Sequence, residues 1–306
     1  MELLTKVNTP ESPRKLGLEN KIMIIGSCFA NEIGSILKSC GFNISVNPFG
    51  TLYNPISIAN SIERLASATP FEAKDVINIT LHSTSEAQTS KAEISKPEAT
   101  AQGNKYCSFF HHSSFAKNSA EEFLTYANSQ LAKESVHFKN CDTVIITLGT
   151  SWVFRHERLD EIVSNCHKIH PKEFTREFIP LNTTSEILQK LISKYPDKNF
   201  IFTVSPIRHL KDGAHGNQIS KASLLLAVEQ LVANNPDTCS YFPAYEIMLD
   251  ELRDYRFYAE DMVHPSELAV KYIYNRFKEW CINPAEYQSM QQKMKEYKQR
   301  LHRQML

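Results

Sequence analysis

The stretch KIMIIGSCFANEIG, residues 21–34, sets the reading of the chain. Its first part is a compact apolar run of the length a buried strand takes. Gly26 then lets the backbone turn sharply. Beyond it, Ile33, Ile36 and Leu37 recur at helical spacing, and Gly41 after Cys40 suits a helix end. A strand, a tight turn and a helix in immediate succession open an α/β unit. The turn holds two adjacent nucleophiles, Ser27 and Cys28. At a helix N-terminus, free backbone N–H groups and the positive end of the macrodipole favour a thiolate or a developing oxyanion. A tight turn with a buried cysteine explains the same letters, so the rest of the chain must decide.

Working outward, 42–46, DTVIITL at 142–148 and NFIFTV at 199–204 read as further strands, with 241–245 as a last one. Helical spacing covers 56–65, 185–194, 220–233 and 265–280; Ser220 is placed to cap the third and Pro265 lies near the first turn of the fourth. Strands alternating with helices predict an α/β fold with a mainly parallel sheet. The expected organisation is an N-terminal extension over 1–20, one α/β domain over 21–283 and a solvated helical tail over 284–306. Within the domain, 83–103 (STSEAQTSKAEISKPEATAQG) is polar and lacks aromatics and apolar period, so it reads as a surface insertion.

Composition narrows the partners. The chain has 306 residues, 42% of them hydrophobic, enough for a sizeable core. Lys and Arg number 34 and Asp and Glu also 34, so no basic field is available to hold a nucleic acid backbone. No apolar run approaches the roughly 20 residues of a membrane span. The first twenty residues lack a basic segment followed by an apolar one, which predicts a cytoplasmic protein. The seven cysteines are odd in number and none is spaced C-x-x-C, against a disulfide framework or zinc knuckle; most are expected to be small buried hydrophobes. There is no H-E-x-x-H and no phosphate-binding glycine loop. No metal or cofactor is expected.

In a parallel sheet, ligands sit beyond the carboxyl ends of the strands. Each distinctive motif falls at such an end: IMIIGSCF, NPFGTLYNP, ITLGTSWVF and FTVSPIRH, with DMVHP before the last long domain helix. They are therefore expected to converge on one rim. Asp261 and His264, three apart in DMVHP, can lie on one face of a turn, where the carboxylate fixes the imidazole tautomer and stabilises the imidazolium. Arg208 and His209 are candidates for contacting substrate, Arg208 through a bidentate grip on an anion. A surface pair or a surface arginine is the plainer explanation of each motif alone.

Taken together these residues resemble the GSCFA domain family. Gly26-Ser27-Cys28-Phe29-Ala30 spells its name, and NPFGTLYNP (47–55), TLGTSWVF (147–154), NCHK (165–168), SPIRH (205–209), NQISKASL (217–224) and DMVHPS (261–266) are similar to further family stretches. The resemblance runs from about residue 21 to 277. That family in turn resembles the SGNH/GDSL hydrolases, which implies a flavodoxin-like three-layer α/β/α sandwich and ester hydrolysis or acyl transfer through a covalent acyl-enzyme. The implied triad is a nucleophile of the first motif with His264 and Asp261. Register against G-D-S puts Cys28 at the nucleophile, with Ser27 as the rival. Gly50 matches the second-block glycine, and Gly149-Thr150-Ser151 the third block, with Ser151 where the oxyanion-hole asparagine stands. The implied substrate is a small-molecule or carbohydrate ester, with an acyl donor such as acyl-CoA. The rival classes are a non-catalytic carbohydrate- or acyl-binding module and an interaction protein using the C-terminal helix.

Overall fold

The computed structural model describes residues 5–79 and 104–304. The insertion expected at 83–103 lies outside them. The strands are β1 (Lys21–Gly26), β2 (Asn43–Val46), β3 (Ile77–Asn78), β4 (Tyr106–Cys107), β5 (Thr143–Leu148), β6 (Trp152–His156), β7 (Glu161–Val163), β8 (Phe174–Phe178), β9 (Asn199–Val204) and β10 (Cys239–Tyr241). The α-helices are α1 (Cys28–Ser39), α2 (Pro55–Ser67), α3 (Ala120–Asn140), α4 (Leu181–Lys194), α5 (Gly213–Asn234), α6 (Ala244–Glu246), α7 (Glu267–Cys281) and α8 (Tyr287–Gln304).

Five strands form the central sheet in the order β10-β9-β5-β1-β2, and every neighbouring pair is parallel. Near-continuous apolar runs are what such strands need, because helices cover both faces. The side-chain period of two distributes them. Ile22 and Ile24 point into the layer of Phe29, Ile33 and Leu37 of α1 and Ile273 and Phe277 of α7. Met23 and Ile25 point into the layer of Ile58 and Ile62 of α2, Phe123 and Leu131 of α3, Leu188 of α4 and Leu224 of α5. The result is the expected three-layer α/β/α sandwich. A three-stranded antiparallel sheet, β7-β6-β8, and the pair β3-β4 lie outside it.

The topology positions the rim. From β1 the chain passes to β2 on one side of it and later returns to β5 on the other, so the order reverses between β1 and β5. The crevice of a parallel sheet opens at such a switch. There Gly26 has φ +144°, and a Cβ on it would stand 2.1 Å from the carbonyl oxygen of Thr147. Only glycine permits that approach of β1 to β5.

Several element expectations change. The helix expected over 220–233 begins at Gly213, so Ser220 lies within it rather than capping it, buried and bonded to Ser151. The last strand ends at Tyr241, and a helical turn from Ala244 follows. The 21-residue α3 and the β6–β8 sheet have no counterpart among the expected elements. Helix α8 is not wholly solvated: Met290 is 3% exposed and packs in the layer of α1 and α7.

Candidate functional site

Ser27 and Cys28 occupy different environments although they are adjacent. Ser27 is the N-cap residue of α1, in an extended conformation, but its side chain makes no cap. It is fully buried: its N–H donates to Thr147 O at 3.1 Å and its hydroxyl donates to Ser205 Oγ at 2.9 Å. Ser27 thereby latches the end of β1 to β5 and to the residue after β9. Cys28 is the first residue of α1 and is only half-buried. Its Sγ lies 3.3 Å from the hydroxyl of Tyr53.

His264 comes to the same place from the loop before α7. Its Nδ1 is 2.6 Å from Asp261 Oδ2, while Asp261 Oδ1 accepts from the N–H groups of Val263 at 2.8 Å and His264 at 2.9 Å. With Nδ1 held, Nε2 is the nitrogen left to meet Cys28. Hydrogen bonding with the Cys28 side chain is the main reason the imidazole pKa is raised to about 9; the Asp261 hydrogen bond and charge add to it against partial desolvation. For Asp261 burial pushes the carboxyl up, but the two backbone N–H groups and the imidazole outweigh it and hold its pKa below the ordinary value. The loop is anchored: Arg208 Nη1 donates to Met262 O at 3.0 Å, Arg208 N to Val263 O at 3.1 Å, and Ala259 N to His264 O at 2.7 Å. Cys28, His264 and Asp261 thus form a chain of adjacent groups, and Ser27 stands outside it.

The 47–55 loop brings Tyr53. Asn47 sits at φ +45°, its Oδ1 accepting from Gly26 N at 2.8 Å and its Nδ2 donating to Asn31 Oδ1 at 2.7 Å. Leu52 N donates to Gly26 O at 2.8 Å, and Tyr53 O accepts from Gly149 N at 2.8 Å and Thr150 N at 2.9 Å. The loop is therefore bonded to the ends of both β1 and β5.

The residues expected to surround an oxyanion are bonded elsewhere. The N–H of Gly50 donates to Asn47 O at 2.8 Å. Thr150 gives its N–H to Tyr53, and its hydroxyl is 3.1 Å from Ser220 Oγ and accepts from Trp152 N at 3.0 Å. Ser151 is fully buried: its N–H donates to Ser220 Oγ at 2.7 Å and its hydroxyl donates to Ser220 O at 3.3 Å. Gly149 lies against His209, whose Nε2 would stand 3.1 Å from a Cβ there. That Nε2 is screened from solvent and has no hydrogen-bond partner. Burial, helped by the charges of Lys221 and His264, lowers the His209 pKa to about 3, so the ring is neutral. Its ring meets that of Tyr53 edge-on at 5.6 Å. Arg208 lies over the Tyr258 ring at 5.5 Å and serves the 261–264 loop as described.

Two participants carry no assigned role in the sequence reading. Tyr53 lies within NPFGTLYNP and Lys221 within NQISKASL, so both were inside distinctive stretches. Lys221 is buried in α5, its Nζ donating to Gly149 O at 2.7 Å and Ser205 O at 2.8 Å. Burial lowers its pKa to about 7. It ties the carboxyl ends of β5 and β9 together beneath the rim. A groove of about 510 Å³ along α2, lined by Phe49, Asn60, Arg64, Phe71 and Phe110 among others, is a separate depression that Cys28 and His264 do not line. Among the described residues, no group of three or more His, Cys, Asp or Glu side chains is arranged to hold a metal, and no helix is long and apolar enough to cross a membrane.

With this geometry in place, comparison with known families matches residues 21–277 to the GSCFA family. The chain belongs to that family. No curated protein and no solved structure matches it. The five letters of the GSCFA motif each have a place: Gly26 makes the close turn, Ser27 latches it, Cys28 faces the rim, and Phe29 and Ala30 are buried at 2% and 0% exposure. The rest of the GSCFA region supplies the loop of Tyr53, the buried Lys221 and the Asp261–His264 pair.

Proposed function

We propose that this GSCFA protein transfers an ester-linked acyl group through a thioester on Cys28, in the manner of an SGNH/GDSL-like hydrolase or O-acyltransferase. The observation that carries the reading is the half-buried Cys28 at the head of α1, close enough to His264 to raise the imidazole pKa, with the Nδ1 of that histidine held by Asp261. In this reading Cys28 is the nucleophile, His264 takes its proton and passes it to the leaving alkoxide, and Asp261 fixes the imidazole. Ser27 is a latch. The N–H of Cys28 at the helix start offers one oxyanion donor. Water as acceptor gives a hydrolase and a substrate hydroxyl, such as a sugar's, gives an acyltransferase. In this reading Arg208 and His209 contact the substrate, Arg208 through an anionic group met by the part of its guanidinium not engaged with Met262. A catalytic thiol also suits a reducing compartment, in line with the cytoplasmic expectation.

The test is mass spectrometry after incubation with acyl esters and acyl-CoA donors. An adduct on Cys28 that vanishes in Cys28→Ala and persists in Ser27→Ala is expected. Loss of the adduct only in Ser27→Ala sinks the assignment. A second reading, a binding module for a carbohydrate or acyl ligand, is favoured by the engagement of Gly50, Thr150 and Ser151 elsewhere. It predicts ligand binding with no adduct on either residue.

A further inference from the structure

The thioester reading leaves a gap. A tetrahedral intermediate needs donors aimed at its oxyanion, and the loss of one can slow an enzyme by a factor of about 10² to 10³. Gly50, Thr150 and Ser151 have their N–H groups bonded within the fold, whereas the hydroxyl of Tyr53 lies against the sulfur at 3.3 Å.

We propose that Tyr53 is a catalytic residue, and that its phenol O–H, together with the N–H of Cys28, holds the oxyanion that forms when Cys28 attacks an acyl carbonyl. This rests on the thioester reading above. The loop that carries Tyr53 is bonded to Gly26 O, Gly149 N and Thr150 N, which fixes the phenol relative to the sulfur. The ring is packed edge-on against His209. The phenol also has a second neighbour, Thr51 Oγ1 at 3.4 Å, to which its proton can return when no charge is present. A donor resting near the sulfur is in range of an oxygen that forms two bonds away from it. The donor thus follows the negative charge as it moves from sulfur to oxygen.

The step balances as follows. The Cys28 thiolate forms a bond to the carbonyl carbon, and the carbonyl π pair moves to oxygen, where Tyr53 and the Cys28 N–H donate to it. The oxygen pair then reforms C=O and expels the alkoxide, which takes the proton of His264 and leaves as an alcohol. In hydrolysis, neutral His264 removes a proton from water; the hydroxide adds to the thioester, passing through the same oxyanion, and collapse releases the acid and the thiolate. The imidazolium and thiolate are restored. Tyr53 keeps its proton throughout.

The experiment compares two probes on full-length protein. Iodoacetamide alkylates a thiolate without an oxyanion, and p-nitrophenyl acetate acylates it through one. In Tyr53→Phe, which keeps the ring against His209, acylation of Cys28 is expected to slow about 10²-fold while alkylation changes less than about threefold. Unchanged acylation overturns the role of Tyr53 and leaves acyl transfer standing. Equal slowing of both probes assigns Tyr53 to the thiolate and overturns the oxyanion role. A wild-type protein that takes iodoacetamide but never the ester sinks the thioester reading itself, and the role of Tyr53 with it.

Discussion

At the scale of single residues, the contrast between Ser27 and Cys28 shows how one step along a helix start changes chemistry. Ser27, as N-cap, points back into the strands, while Cys28, as first helical residue, points over the rim. Sequence spacing left the choice between them open, because it shows neither the latch to Ser205 nor the reach of His264. The Asp261–His264 pair was legible, since three residues of a turn suffice to bring them together. The role of Tyr53 was not, because it depends on a loop folded back onto two strands that are far apart in sequence. Two predictions belong here. In Cys28→Ala the main cause that raises the His264 pKa is removed, so its titration, followed by NMR, is expected to fall clearly below about 9; an unchanged titration would detach His264 from the thiol. The sign for stability follows from the same shift. A histidine raised above its ordinary value stabilises the fold fully below about 6.5, and that contribution is lost as pH rises through about 9. On the proposed thioester route, the acylation rate of the wild type is expected to decline over the upper part of that range as the His264 imidazolium is lost.

At the scale of elements, the inner strands β1, β5 and β9 were readable because each is a short apolar run ended by a turn residue, as a strand buried on both faces requires, whereas the edge strand β10, with only Cys239, Ser240 and Tyr241, was expected too late in the chain. Helix α3 escaped because its polar and apolar residues are mixed along 21 positions. Its signal lay in Ser119, whose hydroxyl accepts from Glu122 N at 3.1 Å, with Glu122 three residues on in the capping-box pattern. Strands β6 to β8 are short and carry charge, as befits a small sheet at the rim. The β1–α1 joint offers the clearest mechanical test. Gly26→Ala adds a Cβ 2.1 Å from Thr147 O at φ +144°, so either β1 and β5 separate or the turn changes shape. The expected cost is several kcal/mol, beyond the usual range for a mismatched Gly→Ala change. Urea denaturation measures it, and a loss under about 0.5 kcal/mol would show that the joint yields easily. For α8, Met290→Ala is expected to destabilise by roughly 2–5 kcal/mol, the range for a buried methionine, because that side chain is 3% exposed against α1 and α7. A change near zero in the denaturation midpoint would return α8 to the solvated role its composition suggested.

At the scale of the whole molecule, buried histidines give the fold an acid-sensitive character that follows from ordinary thermodynamics. His111 is fully buried among Phe49, Phe71, Phe115 and Phe123, with Nδ1 2.7 Å from Ser108 Oγ and Nε2 unpartnered. Burial lowers its pKa to about 3, with the charges of His167 and Arg64 adding to the effect. His209 is lowered to about 3 as well, by burial first, and burial also lowers His167. Above about pH 6.5 both folded and unfolded forms of these rings are neutral, and they do not affect the pH dependence. Below it the unfolded chain binds protons that the folded rings refuse, so stability falls as pH drops from about 6.5 toward about 3. Each refused proton contributes a slope of up to about 1.4 kcal/mol per pH unit. The unfolding free energy, measured in urea at pH 7, 5.5 and 4.5, is therefore expected to decline steeply on the acid side. His111→Phe tests the source. It keeps an aromatic ring in the cluster, and Ser108 Oγ retains Phe110 N as a donor at 3.2 Å. The variant is expected to lose up to about one proton's worth of the acid-side slope. A slope identical to wild type would place the acid sensitivity elsewhere and remove His111 from the account.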